Sequence, residues 1–414
     1  MNAATLTEST SARTAVAMFA AFAFAYFFSA LLRAVTATLA PAFSAELGLS
    51  AGDLGLLAGA YFFGFAMMQL PLGRALDRWG PRRALLLFLA LAVLACAAFA
   101  LARSFAALLA ARAMIGVGVS ACLMAPLTAY RLRFGAATQL RTNSWMLMSG
   151  SLGMLASTLP VQWLLPSIGW RGLFWAVAGL LALAMLLIAW WVPRDARQAR
   201  LTALRSTLGY GAIFRNAYFL RMTPLAFFLY GGLLAVQSLW AGPWLTAVAG
   251  RSAAGAAQGL FAINLSMLLA FLAWGIVMPH LVRRGWQVNR LIALGVPLSL
   301  LLLFGAVAMG ARAGAAWWAA WCVSCTFVSL SQPAVAQAFP VAAAGRALSA
   351  FNLVIFLGVF CVQWGIGLCV DALMALGWPR AVAFQGAFGL FALTCTFSYA
   401  WFLWRGREGA AQTA

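Results

Sequence analysis

The chain alternates long stretches without any charged residue with short segments that contain arginine. A helix needs about 20 mostly apolar residues to cross the hydrocarbon of a bilayer. Eight uncharged runs reach that length, at residues 142–170, 172–193, 222–250, 252–282, 291–311, 313–345, 347–370 and 381–404. Earlier in the chain, glycine and arginine separate four more helices, predicted at about residues 15–41, 51–72, 84–102 and 105–130. The pattern predicts an all-α membrane protein with twelve transmembrane helices.

Composition strengthens this interpretation. Of the 414 residues, 65% are hydrophobic and only 8% are charged, whereas about a quarter would be charged in a soluble domain. The net charge of +20 comes from 27 arginines, spread in ones and twos between the apolar runs. They are therefore interpreted as loop charges, so the expected surroundings are a lipid bilayer and no nucleic-acid partner is expected.

The distribution of arginine predicts the orientation. If the N-terminus is inside, 20 arginines fall in cytoplasmic segments and five in external ones, while Arg33 and Arg112 fall inside helices. Because cytoplasmic loops of membrane proteins are enriched in Lys and Arg, both termini are expected in the cytoplasm. A multi-pass protein of a bacterial inner membrane is expected, and the first helix is expected to be retained because it is too long for a signal peptide.

The two halves of the chain repeat each other weakly. A shift of 205 residues superposes Gly80 on Gly285, Arg141 on Arg346, Ser144 on Ser349 and Gly153 on Gly358, and a shift of 204 places Tyr26 on Tyr230 and Arg33 opposite Gln237. Parallel repeats of six spans that enclose a site near the midplane are an architecture of transporters. We therefore expect six-helix bundles at residues 1–192 and 222–414, joined by a cytoplasmic linker at 193–221.

The segment after the second predicted helix reads GRALDRWGPRR from Gly73 to Arg83. It resembles the signature loop of the major facilitator superfamily, Gly-x-Leu-x-Asp-Arg-x-Gly-Arg-Arg, at the same place in the topology. The matching residues are Gly73, Asp77, Arg78, Gly80, Arg82 and Arg83. Ala75 and Pro81 depart from the pattern. A second family pattern, Arg-x-x-x-Gly-x-Gly in helix 4, is matched from Arg112. The resemblance implies the twelve-helix major facilitator fold and transport.

Asp77 lies among four arginines at the cytoplasmic end of helix 2. An ion pair or a helix-end contact in this loop is expected to hold one conformational state closed and to release in the other. The six matching residues are therefore predicted to form a gate. The alternative is that the arginines only orient the protein and Asp77 offsets their charge.

Arg33 and Arg112 are predicted at similar depth, each about 12 Å from the outer end of its helix if helix 1 ends at Pro41. A charge at that depth costs several kcal/mol unless it faces a partner or a water-filled cavity. Two cations that face one cavity would attract an anion. Tyr26 lies on the same polar stripe of helix 1. In the alternative interpretation Arg33 snorkels outward or binds carbonyl groups, and Arg112 has a packing or gating role.

Further polar and aromatic residues in the second half are candidate substrate contacts. They are Gln237 and Trp240 in helix 7, Asn264 in helix 8, and Asn352 and Gln363 in helix 11. Buried amides can equally well bond between helices, and aromatic residues at a helix end can form a membrane-interface belt. Asp53, three residues after Ser50, is predicted to complete a capping box at the start of helix 2, with pairing to Arg33 or proton carriage as alternatives.

The expected function is secondary or facilitative transport of a small, anionic organic solute by alternating access. No enzyme activity, cofactor or metal site is expected, and the protein is expected to be a monomer. Efflux of amphipathic, drug-like compounds is an alternative, disfavoured because helix 5 lacks the Gly-Pro pair typical of drug/proton antiporters. A transporter-like sensor that binds without translocating is the alternative from another class.

Overall fold

The computed structural model describes residues 12–134, 136–193 and 209–411, and within these ranges the regular structure is helical, with no β-strand. Helices are numbered α1 to α12 by span. In the first half they are α1 Ala12–Leu47, α2 Ala51–Met67 with Gln69–Leu76, α3 Arg78–Leu101, α4 Phe105–Val119 with Ala121–Arg133, α5 Ala136–Ala156 with the start of Leu159–Trp191, and α6 the rest of Leu159–Trp191.

The second half follows after a short helix at Tyr210–Arg215. Its spans are α7 Ala217–Ala247, α8 Ala253–Arg283, α9 Val288–Met309, α10 Ala315–Ser329 with Ser331–Gln337, α11 Val341–Ala375 and α12 Arg380–Ala411. Two stretches of α7, Leu225–Tyr230 and Val236–Trp240, are π-helical. Residues 194–208 of the predicted linker lie outside the described residues.

Ten helices of the described ranges are long and apolar enough to cross a membrane, and α2 makes an eleventh as a pair bent by 42°. The remaining span is α5, which runs beside α1. Thr38 Oγ1 in α1 donates to the carbonyl of Ser157 in α5 at 2.7 Å. At the end of α5, Gly169 has φ 64°, a conformation that glycine adopts without strain, and the chain turns there into α6. The predicted all-α membrane fold is confirmed, and all twelve spans can be assigned.

Helix α1 extends further than the sequence predicts. It continues through Pro41 to Leu47, so the expected end at Pro41 is wrong. The added turn is held by Glu46, which forms an ion pair with Arg171 and accepts a hydrogen bond from Trp170 Nε1, both at the α5–α6 turn. Arg33 therefore lies about 21 Å from this end of its helix, rather than about 12 Å.

The repeat is visible in local geometry. Gly80, at the kink near the start of α3, has φ 80°, and Gly285, between α8 and α9, has φ 78°. Gly153 of α5 packs on the backbone of Phe27 in α1, and Gly358 of α11 packs on the backbone of Phe227 in α7. Equivalent helix pairs therefore approach closely in the two halves, because glycine leaves room for the neighbouring backbone.

The bundle has two ends, each identified by one residue. The Arg82 side holds the α2–α3 turn, and the Asp371 side holds the start of α2 and the end of α11. On the Asp371 side, the carboxylate of Asp371 accepts hydrogen bonds from the backbone N–H groups of Ala51 at 3.0 Å and Gly52 at 2.7 Å. A carboxylate at a helix N-terminus satisfies free N–H groups and the helix dipole. Asp371 thus joins α11 of one half to α2 of the other.

Contacts between the halves differ along the bundle. Helices α2 and α11 pack together from the Asp371 side through Phe62 and Phe356, and α1 packs against the second part of α7, Val236–Trp240 and Ala241–Ala247. Toward the Arg82 side, the second segments of α4 and α10 pack against helices of their own half. The interface between α1 and α7 is therefore closed on the Asp371 side.

Candidate functional site

Arg33 lies between the two halves, among aromatic rings from three helices. Its guanidinium carbon is 5.6 Å from the ring centre of Phe65 in α2 and 5.9 Å from that of Phe356 in α11. These two rings have centroids 4.5 Å apart. The hydroxyl groups of Tyr26 and Tyr61 lie close enough to the same guanidinium to interact with it electrostatically. Cation–π contacts and hydroxyl groups therefore stabilise the charge without neutralising it.

The positive charge of Arg33 has no acidic partner in the ranges that the structure describes. The ion pair found there joins Glu46 and Arg171. Arg33 Nε is buried and makes no hydrogen bond to any described residue. Because a buried donor without a partner is costly, this guanidinium has hydrogen-bonding capacity that the described residues leave unused.

Arg112 of α4 lies deeper in the packing, with 1% of its surface exposed. Its Nη2 donates to the carbonyl of Leu32 at 2.8 Å and to Thr36 Oγ1 at 2.6 Å, both in α1. Its guanidinium carbon is 5.0 Å from the centre of the Tyr61 ring. The bond to Leu32 places Arg112 level with Arg33, as the sequence predicted. These contacts attach α4 to α1, which is the packing role considered as the alternative.

A chain of polar side chains in the second half connects to the Arg33 cluster. Tyr230 of α7 lies within electrostatic range of Arg33 and Tyr26. Its hydroxyl donates to Gln332 Oε1 in α10 at 3.2 Å, and Gln332 Nε2 donates to Asn352 Oδ1 in α11 at 2.6 Å. The predicted repeat partners Tyr26 and Tyr230 thus lie near one charge. Asn352 therefore belongs to a hydrogen-bond network that begins at Tyr230, beside the Arg33 cluster.

The other predicted amides bond between or within helices. Gln237 Nε2 donates to Asn264 Oδ1 at 2.9 Å, and Asn264 Nδ2 donates to the carbonyl of Leu260 at 2.9 Å. Gln363 Nε2 donates to Ser238 Oγ at 3.0 Å, and its Oε1 has no partner among the described residues. Interhelical bonding, the alternative to substrate contact, accounts for these donors, because an amide in an apolar interior needs a partner.

Trp240 lies at the end of the second π-helical stretch of α7. Its side chain is fully buried. Its Nε1 donates to the carbonyl of Gln363 at 3.0 Å, and its ring packs edge-on against Phe384 of α12. Its burial is that of a core residue, unlike a tryptophan of a membrane-interface belt.

The predicted gating residues surround the turn between α2 and α3: Gly73, Asp77, Arg78, Gly80, Arg82 and Arg83. Gly80 makes the turn through its positive φ. Arg82 donates from Nη2 to the carbonyl of Ala189 at the end of α6, which attaches the turn to the first half. The side chain of Asp77 lies outside the described part of the structure, so its predicted gating role stays a prediction.

Four residues of the Arg33 environment are absent from the sequence-based site. They are Tyr61, Phe65, Gln332 and Phe356. Tyr61 and Phe65 are four residues apart in α2, so they share one helix face, and that spacing could have indicated a pair. Phe356 and Gln332 carry no such signal, because what brings them to Arg33 is the packing of the two halves.

Comparison with known proteins identifies the family. The profile of the Major Facilitator Superfamily matches residues 22–362. The chain belongs to this superfamily. Its bundle also resembles the crystal structure of a bacterial homologue of the human lysosomal transporter Spinster in an inward-facing and unoccupied conformation. The TM-score is 0.74 at 16% identity, over 96% of this chain and 98% of that one. This major facilitator protein therefore has the fold of solved transporters.

Two curated relatives share part of its sequence. A probable L-galactonate transporter of Escherichia coli strain K12 is 27% identical over 268 residues, which cover 64% of this chain and 53% of that relative. A gallate transporter of Pseudomonas putida is 32% identical over 171 residues, which cover 40% of this chain and 36% of the relative. This major facilitator chain thus spans about half and about a third of the lengths of these relatives.

Proposed function

We propose that the protein transports a small organic anion, which binds at Arg33, by alternating access. The observation that carries the proposal is the guanidinium of Arg33, held between the halves by four aromatic rings and without an acidic partner among the described residues. A carboxylate would supply the missing charge and accept charge-assisted hydrogen bonds from it. The surrounding rings would contact the apolar part of the solute.

The names of the two relatives support an anionic solute. Galactonate and gallate both carry a carboxylate, although one is a sugar acid and the other is aromatic. Their shared feature is the group that Arg33 is suited to bind. Export of amphipathic, drug-like compounds is a weaker proposal, because a cationic drug would meet the unneutralised charge of Arg33. A sensor that does not translocate would bind the same anion without moving it.

The proposed arrangement follows the sequence. Residues 1–192 and 222–414 form two halves around the site, and the linker at 193–221 includes the short helix Tyr210–Arg215 and the first turn of α7. The Arg82 side faces the cytoplasm of a bacterial cell, and the inner membrane holds the protein as a monomer with both termini inside. Asp77 and its arginine neighbours act as the gate on that side. The arginine distribution supports this orientation through the positive-inside rule.

Binding to an Arg33→Gln variant tests the central role of this residue. Gallate, L-galactonate and a panel of related carboxylates would be titrated into purified protein by calorimetry. Because one charge-assisted contact contributes about 1.5 to 3 kcal/mol, we expect affinity to fall by roughly ten- to more than a hundredfold. Arg33→Lys should recover part of the loss, since it keeps the charge and loses the bidentate geometry.

Arg103→Gln is the matched control, because it removes an exposed arginine from the α3–α4 turn. It should bind as the wild type does. Transport of the same anion into proteoliposomes separates a transporter from a sensor. Unchanged binding to Arg33→Gln, or preference for a cation, would contradict the proposal.

A further inference from the structure

A cavity of about 370 Å³ lies between the halves on the Asp371 side. One wall is α1, with Thr38 and Ser44, which follow Arg33 along the helix toward its end. The opposite wall carries two arginines, Arg251 at the α7–α8 turn and Arg380 at the start of α12. The cavity is large enough for a small organic molecule.

The charges around this cavity are unbalanced. Arg251 and Arg380 are exposed, and neither side chain forms an ion pair or hydrogen bond with the described residues. The nearby carboxylates of Asp53 and Asp371 do not line the cavity. Asp53 accepts a hydrogen bond from the backbone N–H of Ser50, and Asp371 accepts two, from the backbone N–H groups of Ala51 and Gly52. The third acidic group on this side, Glu46, is bound to Arg171 and Trp170. The lining therefore carries two positive charges and no negative one.

Trp240 of α7 forms part of the cavity wall. It lines the cavity together with Phe384, is fully buried, and is fixed by its hydrogen bond to the carbonyl of Gln363. In α1 the boundary falls within about one helical turn, since Ala37 and Thr38 line the cavity and Arg33 does not. The cavity and the Arg33 cluster are thus distinct places, about one helical turn apart along α1.

We propose that this cavity is a second anion-binding site, which receives an organic carboxylate at the Asp371 side before it reaches Arg33. The order of binding, first in this cavity and then at Arg33, rests on the proposed function. The existence of the site rests only on the cavity and its two arginines. Two guanidinium groups can bind carboxylate oxygens, Ser44 offers a hydroxyl group, and the Trp240 and Phe384 rings contact an apolar body. Clefts lined by one sign of charge also raise the local concentration of counter-ions.

A cysteine introduced at the cavity wall can report both the charge preference of the cavity and its binding of an anion. In Ser44→Cys, the labelling rates of an anionic methanethiosulfonate sulfonate and its trimethylammonium counterpart would be compared, with the parent protein as the blank for native cysteines. The ratio of the two rates cancels any change in thiol reactivity. Adding Arg251→Gln with Arg380→Gln should lower the anion-to-cation ratio by about tenfold. Arg103→Gln with Arg312→Gln removes two exposed arginines of the same side that do not line the cavity, and should change the ratio less than about twofold.

Protection from a neutral methanethiosulfonate reagent then tests binding itself. The background is Arg33→Gln, so that binding at the Arg33 cluster does not contribute. A panel of sugar-acid and aromatic carboxylates, gallate and L-galactonate among them, should slow labelling at least about threefold, and the Arg251→Gln, Arg380→Gln pair should abolish this protection.

Absence of protection by every member of the panel would overturn the second site, whatever the charge ratio. Equal protection after loss of both arginines would overturn it as well. Protection that depends on the two arginines, together with unchanged anion affinity in Arg33→Gln alone, would keep the second site and refute the proposed role of Arg33. The two proposals therefore fail separately.

Discussion

At the scale of single residues, Arg33 and Arg112 lie in neighbouring helices at the same level, since Arg112 bonds to the carbonyl that precedes Arg33 along α1. Their surroundings differ. Arg112 is fully buried and gives one nitrogen to two acceptors of α1, whereas the half-buried Arg33 has aromatic rings of both halves around it. The first arrangement stabilises one half, and the second lies where the halves meet.

We expect Arg112→Met to destabilise the protein more than Arg33→Met does. The substitution leaves the Leu32 carbonyl and the Thr36 hydroxyl without their charged donor, at a cost of about 1.5 to 3 kcal/mol for such a bond. Apparent melting temperatures in detergent would be compared, with Thr36→Val as a control that removes one acceptor. If Arg112→Met melts like the wild type yet loses anion binding, Arg112 belongs to the substrate site as the sequence first indicated.

The sequence is enough to single out a charge inside a helix, but it does not predict which residues surround that charge. Arg33 stands out because an arginine in an apolar run needs a reason to be there. The ring of Phe356 is one of many phenylalanines, and only the contact of α11 with α2 brings it to Arg33. For the same reason Gln237, predicted to face Arg33, could not be assigned to Asn264 before the packing of α7 and α8 was known.

At the scale of helices, the start of α2 is capped twice. Ser50 and Asp53 form the predicted capping box within the helix, which the structure confirms. Asp371 of α11 adds a second carboxylate from the other half, and Gly52 leaves the space for it. Asp53 therefore stabilises α2 itself, whereas Asp371 stabilises a contact that must break if the halves separate on this side.

Loss of Asp371 should shift the equilibrium toward a state open on the Asp371 side. In Asp371→Ala two hydrogen bonds between the halves disappear, and a loss of about 1.4 kcal/mol already changes a population ratio tenfold. Spin labels at residues 103 and 312, exposed on opposite halves, would report longer distances by double electron–electron resonance. Asp53→Ala is the matched control, because it removes a cap at the same helix end and should leave the distances unchanged. The same distribution of spin-label distances in Asp371→Ala and Asp53→Ala would contradict the role given to Asp371.

The order of the helices could be predicted from the uncharged runs, but their breaks could not. Helix α5 is interrupted after Ala156, where Ser157 and Thr158 donate side-chain hydrogen bonds back to the carbonyls of Met154 and Leu155. Such bonds compete with the helical ladder, but their presence depends on a local conformation that hydrophobicity does not encode. The same holds for the extension of α1 through Pro41, which depends on Glu46 and its partners across the α5–α6 turn.

At the scale of the whole molecule, the acidic residues are few, and they lie near the ends of the predicted helices or outside them. The sequence holds seven: Glu8, Glu46, Asp53, Asp77, Asp195, Asp371 and Glu408. Three have partners in the described ranges, namely Glu46 with Arg171, Asp53 with the start of its own helix, and Asp371 with the start of α2. None of the seven falls in the middle third of a predicted helix, where a buried carboxylate would carry a proton between the two sides.

Transport is therefore expected not to depend on a carboxylate proton carrier. Any coupling of the proposed transport to protons would run through the solute or through Asp53, and in its absence the expected mode is uniport or exchange. In proteoliposomes loaded with the solute, Asp53→Asn should exchange it within about twofold of the wild-type rate, with or without an imposed pH gradient. The amide keeps an acceptor for the backbone N–H of Ser50, so the cap is weakened by a few tenths to about 1 kcal/mol and the helix remains. Loss of proton-driven accumulation with exchange intact would instead identify Asp53 as the carrier and its capping bond as a feature of one state of the cycle.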